Sequence, residues 1–232
     1  MRRLAAAFNP VAIAHAPNLH FSPIKMPPPN VVVFDLGKVL VDFDYSIAAR
    51  KIAARSDLGS AAVQKMLDHA PLLFRFETGL VTREGFYREV CAGCGYRGGM
   101  EEFCAEFAAI FWEIEPMIAL NATLRAHGVP TYIFSNTNDI AVTHIRERFP
   151  FFADFTGYIL SYEHGAMKPD ARLYEVVERT TGQSGGSIAY LDDRAENIAT
   201  ATARGWRALL HETPEKSLSA IRCLGLPVPG AK

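Results

Sequence analysis

Five short apolar runs, rich in β-branched and aromatic residues, recur along the chain with helical periodicity between them. The runs are apolar on both faces rather than alternating, which is typical of strands buried inside a parallel sheet. They lie in the segments Val31–Asp35, Pro130–Asn136, Gly157–Ser161, Ser187–Asp193 and Trp206–His211. Strands that alternate with helices predict an α/β fold with a Rossmann-like, doubly wound and mainly parallel sheet.

One long segment breaks this alternation. Residues 46–115 show no convincing strand but several amphipathic helical stretches, such as AAVQKMLDHAPLLFRFE and MEEFCAEFAAIFWEIE. An insertion of about 70 residues is long enough to form a module of its own, so we predict an all-helical cap over the sheet. The predicted core then comprises residues 31–45 and 116–232.

The first 30 residues contain no acidic side chain and differ in kind from the rest. The stretch MRRLAAAFNPVAIAHAPN superficially resembles a secretory signal, but Asn9 and Pro10 interrupt its apolar part. We expect residues 1–30 to be a disordered tail or the product of a mis-assigned start, with Met26 as the alternative first residue.

Composition excludes several classes of protein. The 232 residues are 49% hydrophobic and 21% charged, and the net charge of −1 offers no basic surface for nucleic acid. No apolar run approaches the ~18 residues that span a membrane. Four cysteines in a chain of this size do not indicate a disulfide framework, so we expect a cytoplasmic location. Nothing in the sequence predicts the oligomeric state.

Polar side chains follow the predicted strands. The strand ends and the loop after the third strand carry Asp35, Ser135–Asn138, Ser161, Lys168, Asp192 and Asp193. Ligands of open α/β sheets bind outside the carboxyl ends of the strands, so we expect these groups to converge. Carboxylates suit Mg²⁺, while a lysine and a hydroxyl suit a phosphate. We expect Pro169 to begin the next helix and so to aim Lys168 toward the sheet edge.

Four motifs, in order, resemble those of the haloacid dehalogenase superfamily. They read FDLGKVL, FSNTND, MKPD and YLDDRAENI, and the resemblance covers about Val31 to His211. They are most similar to the helical-cap phosphatases, in particular the bacterial glucose-1-phosphate phosphatases, and less closely to the phosphatase domain of epoxide hydrolases. The resemblance implies a Mg²⁺-dependent hydrolase of small phosphate monoesters, with sugar phosphates and sugar 1-phosphates among the expected substrates.

The resemblance also implies catalytic and substrate-binding roles. Asp35 would be the nucleophile that forms an aspartyl-phosphate, and Ser135 would hydrogen-bond the transferring phosphoryl group. Lys168 would balance the charge between Asp35 and the phosphate. Asn136 would support these residues on the substrate side, and Glu77 of the cap would contribute to recognition of a sugar.

A metal site is implied in the same way. Asp193 would bind Mg²⁺ directly together with Asp35, and the backbone carbonyl of Gly37 would be a further ligand. Asp192 would act through water or as an orienting partner, with Asn197 supporting it. Two adjacent acids at the end of a buried strand repel each other, and a bound cation relieves that repulsion.

Gly37 departs from the pattern, because most phosphatases of the superfamily have an aspartate at this position. That acid protonates the leaving group and then activates water, and such proton transfer typically contributes ~10²–10⁴-fold. Three explanations remain open. The leaving group is acidic, as at C1 of a sugar; another residue acts, with Asp42, Asp44 and Glu77 as candidates; or the chain is a slow catalyst that mainly binds phosphate.

Two features of the cap have alternative interpretations. Phe74 and Tyr87 flank Glu77 in the stretch FRFETGLVTREGFY and are candidates for sugar recognition, but we favour a cap core for the aromatic residues, Phe76 and Phe86 included. The spacing of Cys91 and Cys94, with Cys104 beyond, resembles metal or redox sites. No second CxxC follows, so we favour buried cysteines at helix ends.

Two other functions remain as alternatives. A haloacid dehalogenase would also use Asp35 but would attack carbon and need no metal, and the pair Asp192 and Asp193 argues against it. A weakly active, phosphate-binding regulatory protein would bind ligand without turnover.

Overall fold

The computed structural model describes residues 26–68 and 71–230. The expectation of a tail therefore falls mostly outside the described residues. The strands are β1 (Val31–Phe34), β2 (Val41–Phe43), β3 (Phe111–Glu113), β4 (Thr131–Ser135), β5 (Gly157–Leu160), β6 (Ile188–Asp192) and β7 (Arg207–Leu210). The helices are α1 (Tyr45–Ala53), α2 (Ser60–Leu67), α3 (Pro71–Glu77), α4 (Arg83–Cys94), α5 (Met100–Ala108), α6 (Glu115–Ala126), α7 (Asp139–Arg148), α8 (Ser161–His164), α9 (Ala171–Thr181), α10 (Ala195–Ala203) and α11 (Pro214–Cys223).

Five strands form one parallel sheet in the order β5-β4-β1-β6-β7. The prediction of a Rossmann-like parallel sheet is confirmed. Strand β1 lies at its centre and alternates between two hydrophobic clusters, with Val32 and Phe34 on one face and Val31 and Val33 on the other. Because both faces are covered by helices, the strand is apolar throughout, and each fully buried side chain of this size contributes about 1.5–3 kcal/mol.

Helices α1 to α5 enclose a third hydrophobic cluster, separate from the two that flank the sheet. Its centre is aromatic: the rings of Phe76 and Phe86 stack with centroids 4.4 Å apart, and Phe103 and Phe107 pack beside them. Side chains cap the N-terminal ends of α1 and α4. Asp44 caps α1, accepting from an amide of its first turn at 2.8 Å.

Residues 46–115 are not entirely helical, so that prediction is wrong at the C-terminal end of the segment. Strand β3 pairs antiparallel with β2 and forms a two-stranded ribbon at the junction of the helices and the sheet. A strand of three residues is too short to show a period, and its partner lies far away in the sequence. No helix among the described residues is long and apolar enough to cross a membrane.

Candidate active site

The register of the central strands brings their carboxyl ends to one edge of the sheet. Phe34, the last residue of β1, pairs with Ile133 of β4 and with Leu191 of β6. The Asp35 amide donates to the Leu191 carbonyl at 2.9 Å, so Asp35 comes level with Asp192 at the end of β6. The predicted convergence of these two side chains follows directly from parallel pairing.

Lys168 lies buried between the two carboxylates. Its Nζ is 3.0 Å from Asp35 Oδ1 and 2.7 Å from Asp192 Oδ2, and it donates to the Phe134 carbonyl at 2.9 Å. These contacts use all three ammonium donors. Burial alone would lower the pKa of Lys168, but Asp192 and Asp35 outweigh that effect and raise it. Lys168 is therefore a fixed positive charge.

The loop that carries Lys168 differs from the sequence prediction. Helix α9 begins at Ala171, because the Asp170 side chain caps it by accepting a first-turn amide at 2.9 Å. The prediction that Pro169 begins the helix is wrong. Asn136 positions the lysine instead: its side chain donates to the Lys168 carbonyl at 3.0 Å and accepts from the Lys168 amide at 2.7 Å.

Asp192 is fully buried and engaged by its neighbours. It accepts hydrogen bonds from Lys168 at 2.7 Å, the Arg194 amide at 2.8 Å, Asn197 Nδ2 at 2.9 Å and the Tyr190 hydroxyl. Burial alone would raise the pKa of Asp192, but Lys168 and these hydrogen bonds lower it. The bond to the Arg194 amide also closes the turn that presents Asp193.

Asp35, Asp192 and Asp193 form a cluster in which one carboxylate oxygen of each lies within 4.8 Å of the others. Burial, opposed by Lys168 and reinforced by Asp192 and Asp193, raises the pKa of Asp35 to about 8. Burial and the charge of Asp192 also raise the pKa of Asp193. Carboxylates crowded in this way fit a hard divalent cation such as Mg²⁺, which prefers oxygen ligands.

Ser161 was expected to face the crevice, but the structure places it elsewhere. It is fully buried, accepts from the Thr137 amide at 2.9 Å and donates to the Glu77 carbonyl at 2.5 Å. Ser161 therefore connects the loop after β4 to the last residue of α3. Ser135, by contrast, is buried, and its hydroxyl donates to the Asn136 carbonyl at 3.3 Å.

A cavity of about 480 Å³ lies above the strand ends. Its floor includes Asp35, Gly37, Asn136, Lys168, Asp193 and Asn197, and its walls include Phe43, Asp44, Tyr45, Gln64, Asp68, Leu73, Glu77, Met167 and Arg194. Glu77 is half-buried there, and burial raises its pKa to about 7 against the opposing charge of Arg194. Sequence reasoning missed Tyr45, Gln64 and Asp68, because no motif or strand end marks these residues. It also missed Arg194, although this residue lies within the fourth motif.

Gly37 lines the cavity, and its environment explains the absence of a side chain. A Cβ at this position would lie 2.9 Å from Cε1 of Phe43, well inside normal contact. The Phe43 ring is itself packed against Tyr45 and Phe111, with centroids 5.6 and 5.9 Å away. The first atom of any side chain at this position would therefore overlap the Phe43 ring.

The structure tests the prediction that the aromatic residues of the cap form its core and that its cysteines are buried at helix ends. Phe76 and Phe86 are buried, and Tyr87 packs against the cap cluster while its hydroxyl donates to the Gly98 carbonyl at 2.8 Å. Phe74 is 56% exposed, so its placement in the core is wrong. Cys91, Cys94 and Cys104 are free, and among the described residues the acidic cluster is the one group with metal-site geometry. Cys94 is buried at the end of α4 as predicted, but Cys91 and Cys104 are partly exposed and lie within α4 and α5, so the prediction of buried helix-end cysteines is wrong for these two.

Comparison with known proteins places these features in a family. The family model of haloacid dehalogenase-like hydrolases matches residues 29–205. The sesquiterpene phosphatase astK of Aspergillus oryzae (strain ATCC 42149 / RIB 40) is 26% identical over 179 residues, which are 76% of this chain and 86% of that protein.

Two solved structures share the fold. The HAD family enzyme bt-2542 of Bacteroides thetaiotaomicron, in complex with magnesium and inorganic phosphate, has a TM-score of 0.67 at 23% identity, over 78% of this chain and 93% of its own. A HAD-like family hydrolase of Porphyromonas gingivalis has a TM-score of 0.71 at 22% identity, over 84% and 97% of the two chains. With most of its length matched by the family model, the chain belongs to the haloacid dehalogenase-like hydrolases.

Proposed function

We propose that this hydrolase is a Mg²⁺-dependent phosphatase that cleaves small phosphate monoesters through an aspartyl-phosphate on Asp35. The observation that carries the proposal is the buried Lys168, 3.0 Å from Asp35 and 2.7 Å from Asp192. A cation fixed beside a carboxylate nucleophile balances charge where a phosphoryl dianion would approach, which is the main requirement of phosphoryl transfer. The phosphatase relative and the magnesium and phosphate complex of bt-2542 support this chemistry.

Asp35, Ser135 and Asn136 have distinct parts in this mechanism. Asp35 attacks phosphorus, with its Oδ1 held by Lys168 and by the Leu36 amide at 2.6 Å. Ser135 donates a hydrogen bond to the transferring phosphoryl group, and Asn136 keeps Lys168 in place through its two hydrogen bonds.

The residues that would hold Mg²⁺ are Asp35, Asp193 and the carbonyl of Gly37. Asp192 would act mainly as an orienting partner, because its oxygens already accept hydrogen bonds from Lys168 and Asn197. Bound Mg²⁺ would neutralise carboxylate charge and polarise the phosphoryl oxygens.

The polar side chains of the cavity walls suit a hydroxylated leaving group such as a sugar. Gln64, Asp68, Glu77 and Arg194 offer polar atoms at the level above the phosphate floor. Sugar hydroxyls can pair with such groups, whereas a long hydrocarbon chain would leave them desolvated. We therefore propose sugar phosphates, sugar 1-phosphates included, ahead of terpenyl phosphates.

The test is phosphate release from a panel of sugar phosphates, nucleoside monophosphates, aryl phosphates and prenyl phosphates, with Mg²⁺ or with EDTA. We expect Mg²⁺-dependent turnover that is fastest on a sugar phosphate and is lost in Asp35→Asn. Asp154→Asn is the matched control, because Asp154 is 52% exposed and pairs with Arg125 on the surface. Equal phosphate release by Asp35→Asn and wild type would contradict the proposal.

The two alternatives predict other results in the same assay. A dehalogenase would release halide from 2-haloacids without Mg²⁺, an activity that the crowding of Asp193 against Asp35 and Asp192 disfavours. A phosphate-binding regulatory protein would bind phosphate but would not turn over even activated aryl phosphates.

A further inference from the structure

The position that usually carries the proton donor is filled by the ring of Phe43, so the donor must come from elsewhere in the cavity. We infer that Glu77 of the cap protonates the leaving oxygen of the ester and then accepts a proton from the attacking water. This inference rests on the proposed phosphatase function and concerns the source of its proton.

Core contacts fix the position of Glu77. The residue ends α3, and its carbonyl accepts from Ser161 Oγ at 2.5 Å, while Ser161 also accepts from the Thr137 amide in the loop after β4. The turn after Glu77 packs closely against the backbone of Tyr162. Gly79 in this turn has a φ of +71°, and a Cβ there would lie 2.2 Å from the Tyr162 carbonyl oxygen. Glu77 therefore belongs to the cap, but its backbone is hydrogen-bonded to Ser161, which in turn contacts the loop after β4 beside the proposed phosphate site.

The carboxyl group of Glu77 is placed to exchange a proton. It lines the same cavity as Asp35 and Lys168, and no residue within 26–68 or 71–230 hydrogen-bonds its side chain. Burial raises the pKa of Glu77 to about 7, with Arg194 acting against the shift. A donor with a pKa near neutrality suits general acid–base catalysis, since both protonation states are populated.

Two other titratable groups that line the cavity, Tyr45 and Lys168, are poor proton donors. Tyr45 and Asp68 face it from the cap side, and Lys168, Asp193 and Arg194 belong to the core side. Burial raises the pKa of Tyr45 well above its ordinary value, so this hydroxyl gives up its proton less readily than a free tyrosine. Lys168 is held charged by the carboxylates beside it.

The two acids nearest in sequence to Gly37 are committed to other bonds. Asp42 pairs with Lys38 and accepts from the Phe43 amide at 2.7 Å, and it does not line the cavity. Asp44 caps α1, with its two oxygens accepting from the Ser46 amide at 2.8 Å and the Ser46 hydroxyl at 2.7 Å. These bonds lower the pKa of Asp44, which makes it a poor proton donor.

The proposed steps balance. Asp35 attacks phosphorus and the bond from phosphorus to the ester oxygen breaks, while the Glu77 proton moves to that oxygen and gives a neutral alcohol. Water then attacks the aspartyl-phosphate and one of its protons returns to Glu77. The bond between phosphorus and Asp35 breaks, and inorganic phosphate and both starting carboxyl groups are regenerated.

A leaving-group series tests the proton donor separately from the phosphatase activity. The substrates are substituted phenyl phosphates of similar size whose phenols differ in acidity, and kcat/KM is measured for wild type, Glu77→Gln and the exposed cap control Glu89→Gln. We expect Glu77→Gln to lose about 10²-fold on the least acidic phenol and little on nitrophenyl phosphate. We expect Glu89→Gln, which disturbs only a surface pair with Arg75, to follow wild type.

A second readout addresses the water-activation step. With nitrophenyl phosphate, Glu77→Gln should release a burst of one equivalent of phenol and then slow down, because the aspartyl-phosphate accumulates. Equal losses across the series, with no burst, would overturn the assignment and leave Glu77 as a binding residue. Absence of Mg²⁺-dependent phosphate release from every ester of the series by wild type would instead overturn the phosphatase function itself.

Discussion

The ring of Phe43 stands 2.9 Å from the point where a side chain at Gly37 would begin. The missing acid of this hydrolase is thus matched by a filled volume and not by an open gap. Asp35, the buried Lys168 and Asp193 of the acidic cluster all lie around the same cavity. In our proposal, the proton comes from Glu77 in another part of the cavity.

Gly37→Ala should therefore destabilise the protein. The added methyl overlaps Phe43, and overpacking of this kind costs about 1–3 kcal/mol of the free energy of unfolding. Urea denaturation measures the loss. The double variant with Phe43→Leu should recover part of it, because the smaller side chain leaves room; purely additive losses in the two variants would contradict the steric explanation.

Removal of the buried ammonium of Lys168 should lower the free energy of unfolding more than the Gly37 substitution does. Lys168→Met leaves Asp35 and Asp192 without their counter-charge, and breaking a buried pair costs about 3–5 kcal/mol. We expect this loss in denaturation without Mg²⁺, and no measurable turnover. Lys216→Met is the control, since its partner Glu212 and the lysine itself are both more than half exposed. An equally small effect in both variants would show that the buried network carries no stability.

Asn136 and Asn138 offer a matched comparison two residues apart. Asn136→Ala frees the backbone of Lys168, so turnover should fall while Mg²⁺ affinity changes little. Asn138→Ala removes the N-cap of α7, whose side chain accepts from the Ala141 amide at 2.9 Å, and should cost about 1 kcal/mol of stability without lowering kcat. Similar kinetics in the two variants would argue against a positioning role for Asn136.

The acidic cluster predicts a coupling between metal and stability. Without metal, Asp193→Asn should be more stable than wild type, because the pKa of Asp193 is raised by burial and by Asp192. With Mg²⁺ at 100 times its Kd, wild type should gain about 2.7 kcal/mol, and the variant should gain much less. Thermal unfolding with and without Mg²⁺ measures both effects. An equal gain for both proteins would place the metal elsewhere.

Glu77 predicts a defined pH dependence of stability. Its pKa is raised from 4.5 to about 7 by burial, so the folded protein holds this proton more tightly than the unfolded chain. The protonated Glu77 therefore contributes to the free energy of unfolding. This contribution is fully present below pH ~4.5 and is lost as the pH rises through ~7. Glu77→Gln should therefore match wild type at pH 4 and exceed it by about 1–3 kcal/mol at pH 8. A constant difference between the two proteins across this range would refute the raised pKa.

The sequence alone was enough for the sheet and the chemistry of its edge. Strand β1 reads as buried on both faces because both faces are in fact covered, and the residue after each central strand falls at the carboxyl edge whatever the details of packing. Asp35 and Asp192 could be predicted for this reason, whereas Lys168 lies in a loop and was marked by its motif.

Local sequence pattern could not predict three other features: the short strand β3, the connection through Ser161 and the walls of the cavity. Each depends on residues distant in sequence: β3 pairs with β2, Ser161 bonds Glu77, and Phe43 fills the volume beside Gly37. Local pattern determined which residues end the strands, since periodicity and turn chemistry are properties of neighbours along the chain. Tertiary structure alone decided how the cap meets the core and which acid lies in the cavity, because those contacts form only when separate segments pack together.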